Sequence, residues 1–478
     1  MKLINSMIFL FHFTDWQSII FEALPLFLPE YLLVIGILLL ILIAPFQKWH
    51  FISPYLSLFF LAFETIFFQN LNQTYFNGLL AHSYFYEKIA WIGVIGSMLT
   101  VILGHLTLNK AFKTEHYIYI LTGQLALQML ALSKNWILSF IAFELLSFVG
   151  YFLILILKEK KSTSESSIKY FIYGAFSSGV MLYGISMYYG IHGNILLNNE
   201  WKFIKIEYIS LGLILVGIFF KLSVFPLHFW TPEVYHGAPI AVAAWLSNVS
   251  KLAGIALFFS VFFPLISSEF QSFLWIIATI TMFVGNFGIL REKHIFRLMG
   301  YSSIAHSGFL FMAMVVNQSM AQATVLFYAL ISIPLTFLVF YSAHQFSQIS
   351  QNVYFTEWNG LGKKYPWTTL GLVTGLAGLI GLPPTIGFIG KLNLVWTVWS
   401  DYIKTHNIFA LFCLISFVLN TLLALAAYSR VVIILLLRNL NQEPNYQIKF
   451  DWIFVIPLAF FSIFFGIYGF DILLQWLM

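Results

Sequence analysis

The sequence predicts an all-α polytopic membrane protein with about 14 transmembrane helices. Three observations carry that expectation. Apolar runs of spanning length recur from one end of the chain to the other. Only 9% of the 478 residues are charged, against roughly 25% in ordinary soluble domains. Lysine and arginine also gather in alternate loops, as insertion from one side of a bilayer requires.

In chain order the runs cover 29–46, 51–68, 88–108, 115–132, 135–157, 168–190, 207–229, 238–262, 271–290, 299–317, 322–343, 366–399, 405–437 and 451–476. Loops after odd-numbered spans hold fourteen Lys and Arg, and loops after even-numbered spans hold five. One miscounted span would move every later loop to the other side, so the asymmetry supports the count and places both termini on the outer, proton-positive side. Two spans carry breaks. The seventh contains Pro226, and the twelfth is too long for one straight crossing and contains GLPPTIGFIG. Proline withdraws a backbone donor, and such breaks persist at membrane depth where the backbone lines protein or a hydrated cavity.

The net charge of +5 has no lysine-rich block or stacking platform beside it. It reads as topology information, not as a nucleic-acid footprint. The single cysteine, Cys413, excludes a disulfide framework or a cysteine metal site within the chain. The histidines show no ligand spacing, and no phosphate loop, dinucleotide fingerprint or nucleophile elbow appears. With no small-residue cleavage site behind MKLINSMIFLFHF, that segment reads as retained. The 53 Phe and 24 Tyr suit an AT-rich organelle gene.

Loops and the terminus account for 20 of the 24 Lys and Arg, leaving Lys221, Lys251, Lys391 and Arg430 in apolar spans. A mid-helix lysine costs about 2.5–3.5 kcal/mol on insertion scales, so it either snorkels or serves a function in the bundle interior. Snorkelling suits Arg430, a turn or two from the polar NLNQEPN loop. It suits Lys221 and Lys251 poorly. Glu144, in IAFELLSFVGYF, reads either as a protonated acid bonded to a neighbouring helix or as a counter-charge for a buried lysine. Lys221 and His228 share a face only if their helix is continuous, which Pro226 argues against. His306 alone reads as a core histidine; in the series Glu144, Lys221, Lys251, His306, Lys391 it reads as one member of a hydrated relay. Two Gly/Pro-interrupted spans, each with a lysine, point to an inverted-repeat transporter with sites near the midplane. Glu64 is left unexplained, as a polar cap or a subunit contact, and Gln124 and Gln128 read as interhelical hydrogen bonders.

The strings IKYFIYGAFSSGVMLYG (168–184), FKLSVFPLHFWTPEVYHGAP (220–239), YSSIAHSGF (301–309) and GLPPTIGFIGKL (381–392) resemble the antiporter-like subunit N family of complex I, chain 2 of mitochondrial NADH-ubiquinone oxidoreductase. The likeness runs from about residue 25 to the end and makes residues 1–24 an N-terminal extension of an antiporter-like domain over 25–478. It implies fourteen helices with two inverted five-helix repeats, at 115–262 and 271–437, and broken helices 7 and 12. It also implies proton translocation coupled to quinone reduction in other subunits. By matching motif, Glu144 is the fifth-helix glutamate, Lys221 its seventh-helix partner, Lys251 the eighth-helix lysine and Lys391 the twelfth-helix lysine; His228 and His306 match motif histidines. His236 stands where the family usually has an acid.

No cofactor is expected on this chain; NADH, FMN, iron–sulfur clusters and ubiquinone belong to other subunits of such a complex. Neighbouring antiporter-like subunits, other membrane-arm subunits and lipid are the expected partners, with no nucleic acid. The expected location is the mitochondrial inner membrane, with the bacterial plasma membrane or plastid thylakoid as alternatives. Two competing readings are a subunit of a multisubunit cation/proton antiporter and a non-pumping membrane scaffold.

Overall fold

Helix starts and stops follow the local sequence closely. The structure, a computed structural model, describes residues 27–68, 72–76, 78–107, 114–156, 161–197, 205–261, 268–316, 319–440 and 451–469. The N-terminal extension expected over 1–24 lies outside them. Proline opens α1 (Leu28–Ile43) and α2 (Ser53–Glu64), where its missing N–H costs nothing. A hairpin of β1 (Gln73–Tyr75) and β2 (Leu80–His82) leads to α3 (Tyr84–Thr107) and α4 (Glu115–Leu132). Asn135 caps α5 (Trp136–Leu155) by accepting from the Ile137 and Leu138 amides. The long α6 (Lys161–His192) packs on α7 (Lys205–Leu222).

A non-helical stretch then leads to the half-helix α8 (Trp230–Gly237), followed by α9 (Ile240–Val261), α10 (Ser268–Arg291), α11 (Ile295–Met314) and α12 (Ser319–Ser350). The last group is α13 (Pro366–Ile380), α14 (Ile386–Thr405), α15 (Ile408–Leu437) and α16 (Asp451–Ile467). Among the described residues six helices are each long and apolar enough to cross a bilayer unaided. In the most apolar window of α9, 94% is buried, against 39% for α15, so α9 forms the centre of the bundle and α15 its rim.

Short backbone bridges tie the loops together at each end. Leu80 pairs with Ser133, and Asn135 with Leu196, which joins the loops after α2, α4 and α6. His294 pairs with Tyr354, joining the loops after α10 and α12. Loops joined in this way lie at one end of the bundle.

Both expected breaks are present, with different bounds from those expected. The run 207–229 is not one helix: α7 stops at Leu222, where Ser223 takes φ +60°, and the chain turns until Trp230. Lys221 and His228 therefore do not share a helix face. The run 366–399 divides at Gly381, whose φ of +84° ends α13, and helix resumes at Ile386. The hairpin was not legible in the sequence, because its strands are only three residues long.

Candidate functional site

Lys221 stands on the last turn of α7, only 1% exposed. Its Nζ donates to Ser147 Oγ on α5 at 2.9 Å and lies 5.3 Å from the Phe143 ring centre. Glu144, one turn earlier on α5, lies within electrostatic range without a direct ion pair, and its Oε1 has no hydrogen-bond partner. Ser178 on α6 faces the same carboxyl. A serine hydroxyl accepts from an ammonium and can donate elsewhere when the amine is neutral, so the contact tolerates either state of Lys221.

The break after Lys221 is closed by its own flanks. The Phe220 carbonyl accepts from the Ser223 amide and from the Trp230 indole, both at 3.1 Å, and the Phe219 carbonyl accepts from the Val224 amide at 2.9 Å. Thr281 on α10 accepts from the Phe225 amide at 3.1 Å. His228 lies in this turn, packed on Phe225 and Phe229, with its Nδ1 unpaired. Among the described residues no hydrogen bond joins it to Lys221.

Lys251, midway along α9, has three acceptors for its three ammonium hydrogens: Ser303 O at 2.7 Å, Ser303 Oγ at 2.6 Å and Ser307 Oγ at 2.6 Å. Both serines lie on one face of α11 at an i, i+4 spacing. Tyr235, on the half-helix α8, hydrogen-bonds Ser303 Oγ at 3.2 Å and so ties the first break to this site. His306, also on α11, shares a 2.6 Å hydrogen bond between its Nδ1 and the Tyr328 hydroxyl of α12. A cavity of about 30 Å³ lies between Asn248, Lys251, Ser303, His306, Tyr328 and Thr336, with room for about one or two waters.

Lys391, on α14, is 5% exposed and donates from Nζ to the Ile380 carbonyl at 2.9 Å. That carbonyl is the last of α13, left without a helical partner by the break, at the end of the helix dipole that favours a cation. The amine also sits 4.4 Å from the Phe309 ring centre. His306 lies within electrostatic range of both Lys251 and Lys391.

The structure thus groups the expected residues into two sets, Glu144 with Lys221, and Lys251 with His306 and Lys391. His228 is bonded to neither. Ser147, Ser303, Ser307, Tyr235 and Tyr328 went unnoticed in the sequence, where the only signal was the serine spacing at 303 and 307. Arg430, expected to snorkel, reaches the end of α10, where its Nη2 donates to the Ile289 carbonyl at 2.9 Å. Interhelical roles do hold for the glutamines, since Gln124 donates to the Ala90 carbonyl at 3.1 Å and Gln128 to Glu64 at 3.1 Å.

Residues 133–420 match the model of the NADH:quinone oxidoreductase/Mrp antiporter membrane family. The chain belongs to this family. It is 32% identical to NADH-quinone oxidoreductase subunit N 2 of Chloroherpeton thalassium, over 74% of this chain and 72% of that protein. It is also 32% identical to NAD(P)H-quinone oxidoreductase subunit 2 of Gloeobacter violaceus, over 74% and 69%. Two solved structures share the fold. A chain of respiratory complex I from Thermus thermophilus superposes with a TM-score of 0.78 at 22% identity, covering 93% of this chain and 98% of that one. A chain of the Mrp complex from Dietzia does so with a TM-score of 0.82 at 14% identity, covering 95% and 96%. The break residues and Lys221, Lys251 and Lys391 fall within the span matched to the family.

Proposed function

We propose that this chain is a proton-translocating membrane-arm subunit of a quinone-reducing respiratory complex, with fourteen crossings and two inverted repeats. Protons move through Glu144, Lys221, Lys251, His306 and Lys391, and quinone chemistry takes place in other subunits. His228 is an accessory member at the first break. The observation that carries the reading is the pair of lysines at helix breaks, Lys221 and Lys391, flanking a third, Lys251, bonded only to serine oxygens. Three amines excluded from lipid and held by neutral acceptors can exchange protons without an ion pair having to be broken.

Relatives named as quinone oxidoreductase subunits support this reading over a cation/proton antiporter. The expected partners are neighbouring antiporter-like and other membrane-arm subunits. NADH, FMN, iron–sulfur clusters and quinone would be carried elsewhere in that assembly. The aromatic-rich composition supports the mitochondrial inner membrane, while the bacterial, cyanobacterial and chloroplast relatives fit a plasma or thylakoid membrane.

Replacing Lys221 or Glu144 with alanine in the assembled complex tests the proposal. Proton pumping and coupled quinone reduction should fall on the order of tenfold or more, while oxidation of the electron donor by an artificial acceptor stays intact. Unchanged pumping stoichiometry in Lys221→Ala would refute it.

A further inference from the structure

The four helices ahead of α5 bury a second set of ionisable groups that the lysine series does not use. Glu30 on α1 is 5% exposed and Glu64 on α2 is fully buried. They lie within electrostatic range of each other, and among the described residues neither has a cationic partner. Two carboxylates in a water-poor interior with no counter-charge do not both remain ionised.

The hydrogen bonds indicate which one holds the proton. The Tyr86 hydroxyl of α3 donates to Glu30 Oε1, so Glu30 has the stronger donor and is suited to its anionic form. Gln128 Nε2 of α4 donates to Glu64 Oε2 at 3.1 Å. The other oxygens of those two side chains, Glu64 Oε1 and Gln128 Oε1, are both buried without a partner. Three buried acceptors without a donor, Glu30 Oε2 among them, leave the cluster short of hydrogen, and a proton on Glu64 supplies one. A metal cation fits less well, because a tyrosine O–H and an amide N–H already point at the carboxylates.

The cluster lies beneath the β1–β2 hairpin, where the His82 ring packs on Tyr86 at 4.9 Å and on Phe27 at 5.2 Å. On α3 the nearest charges are Glu87, which acts on Tyr86, and Lys88, paired with Glu87 at 3.7 Å. The cluster therefore occupies the bundle end that carries the loops after α2, α4 and α6.

We propose that Glu30, Tyr86, Glu64 and Gln128 form a proton-binding site separate from the lysine series, with one exchangeable proton on Glu64 held there by the Glu30 carboxylate. The inference does not depend on the proposed relay.

Infrared spectroscopy of the intact complex labelled with ¹³C-glutamate tests it. The wild type should show a protonated-carboxyl C=O band that shifts in D₂O and survives Glu144→Gln. Glu64→Gln should abolish that band. Glu30→Gln should keep it and lower its titration midpoint by about one pH unit, a roughly tenfold loss of proton affinity. Wild-type enzyme with no such band refutes the site even if neither variant assembles. A band retained in Glu64→Gln, or a midpoint unmoved in Glu30→Gln, refutes the coupling.

Discussion

The two helix breaks contain the same ingredients and use them differently. At the first, residues 223–229, backbone and the Trp230 indole satisfy the freed carbonyls of Phe219 and Phe220, and Lys221 is left to face a hydroxyl and a carboxylate on α5. At the second, residues 381–385, the lysine itself closes the helix end by donating to Ile380. Lys221 is thus free to change charge without loosening the break. Lys391 caps its broken helix, so a change in its charge would act on the geometry of that break.

The strongest test of that contrast replaces each lysine with alanine. Both variants should lose coupled turnover. Lys391→Ala should also destabilise the protein by about 1–3 kcal/mol through the orphaned Ile380 carbonyl, whereas Lys221→Ala should leave Ser147, which already donates to the Phe143 carbonyl, satisfied. Thermal melts of the two purified complexes would separate these outcomes, and equal melting shifts would break the comparison.

Gly381→Ala comes next. A β-carbon there would meet Lys391 Cδ at 2.8 Å in a backbone at φ +84°, costing about 1–2 kcal/mol for the left-handed conformation alone and displacing the amine. Turnover and stability should therefore fall together.

Trp230→Phe tests the first break. Phe220 O would keep its Ser223 donor and lose the indole, a change of about 1 kcal/mol. Coupled turnover should drop less than in Lys221→Ala, since the amine keeps its own partner.

The smallest effect is expected at the loop that closes the opposite end. Burial, with help from His236 and Arg297, pushes the His294 imidazole down to about 4, and its Nδ1 accepts from the Arg297 amide to cap α11. The ordinary value is about 6.5. The neutral cap's contribution is therefore complete above pH about 6.5 and declines as pH falls toward about 4. The protection factor of the Arg297 amide, the intrinsic exchange rate at each pH relative to the observed one, should fall across that window, and a His294→Asn variant should flatten the response.

Much of the fold was legible because lipid imposes simple rules. Span lengths, the two breaks and the sorting of basic loops all follow from the cost of exposing backbone or charge to hydrocarbon. The lysines were visible for the same reason: a cation in an apolar run stands out. Their partners were not. Serine and tyrosine are common in such spans, so Ser147, Ser303 and Tyr328 give no signal until helices distant in sequence come together. Glu64 stood out in the sequence with no explanation, because its neighbours Glu30, Tyr86 and Gln128 come from three other helices.

By itself, the sequence determined that this chain is a many-helix membrane protein with three lysines that lipid cannot accommodate. The tertiary structure decided what each amine touches, that His228 lies apart from Lys221, and that Arg430 closes a helix end. Burial energies depend on local composition, which the sequence carries. Hydrogen-bond partners depend on which faces of remote helices meet, and only the packed bundle sets that.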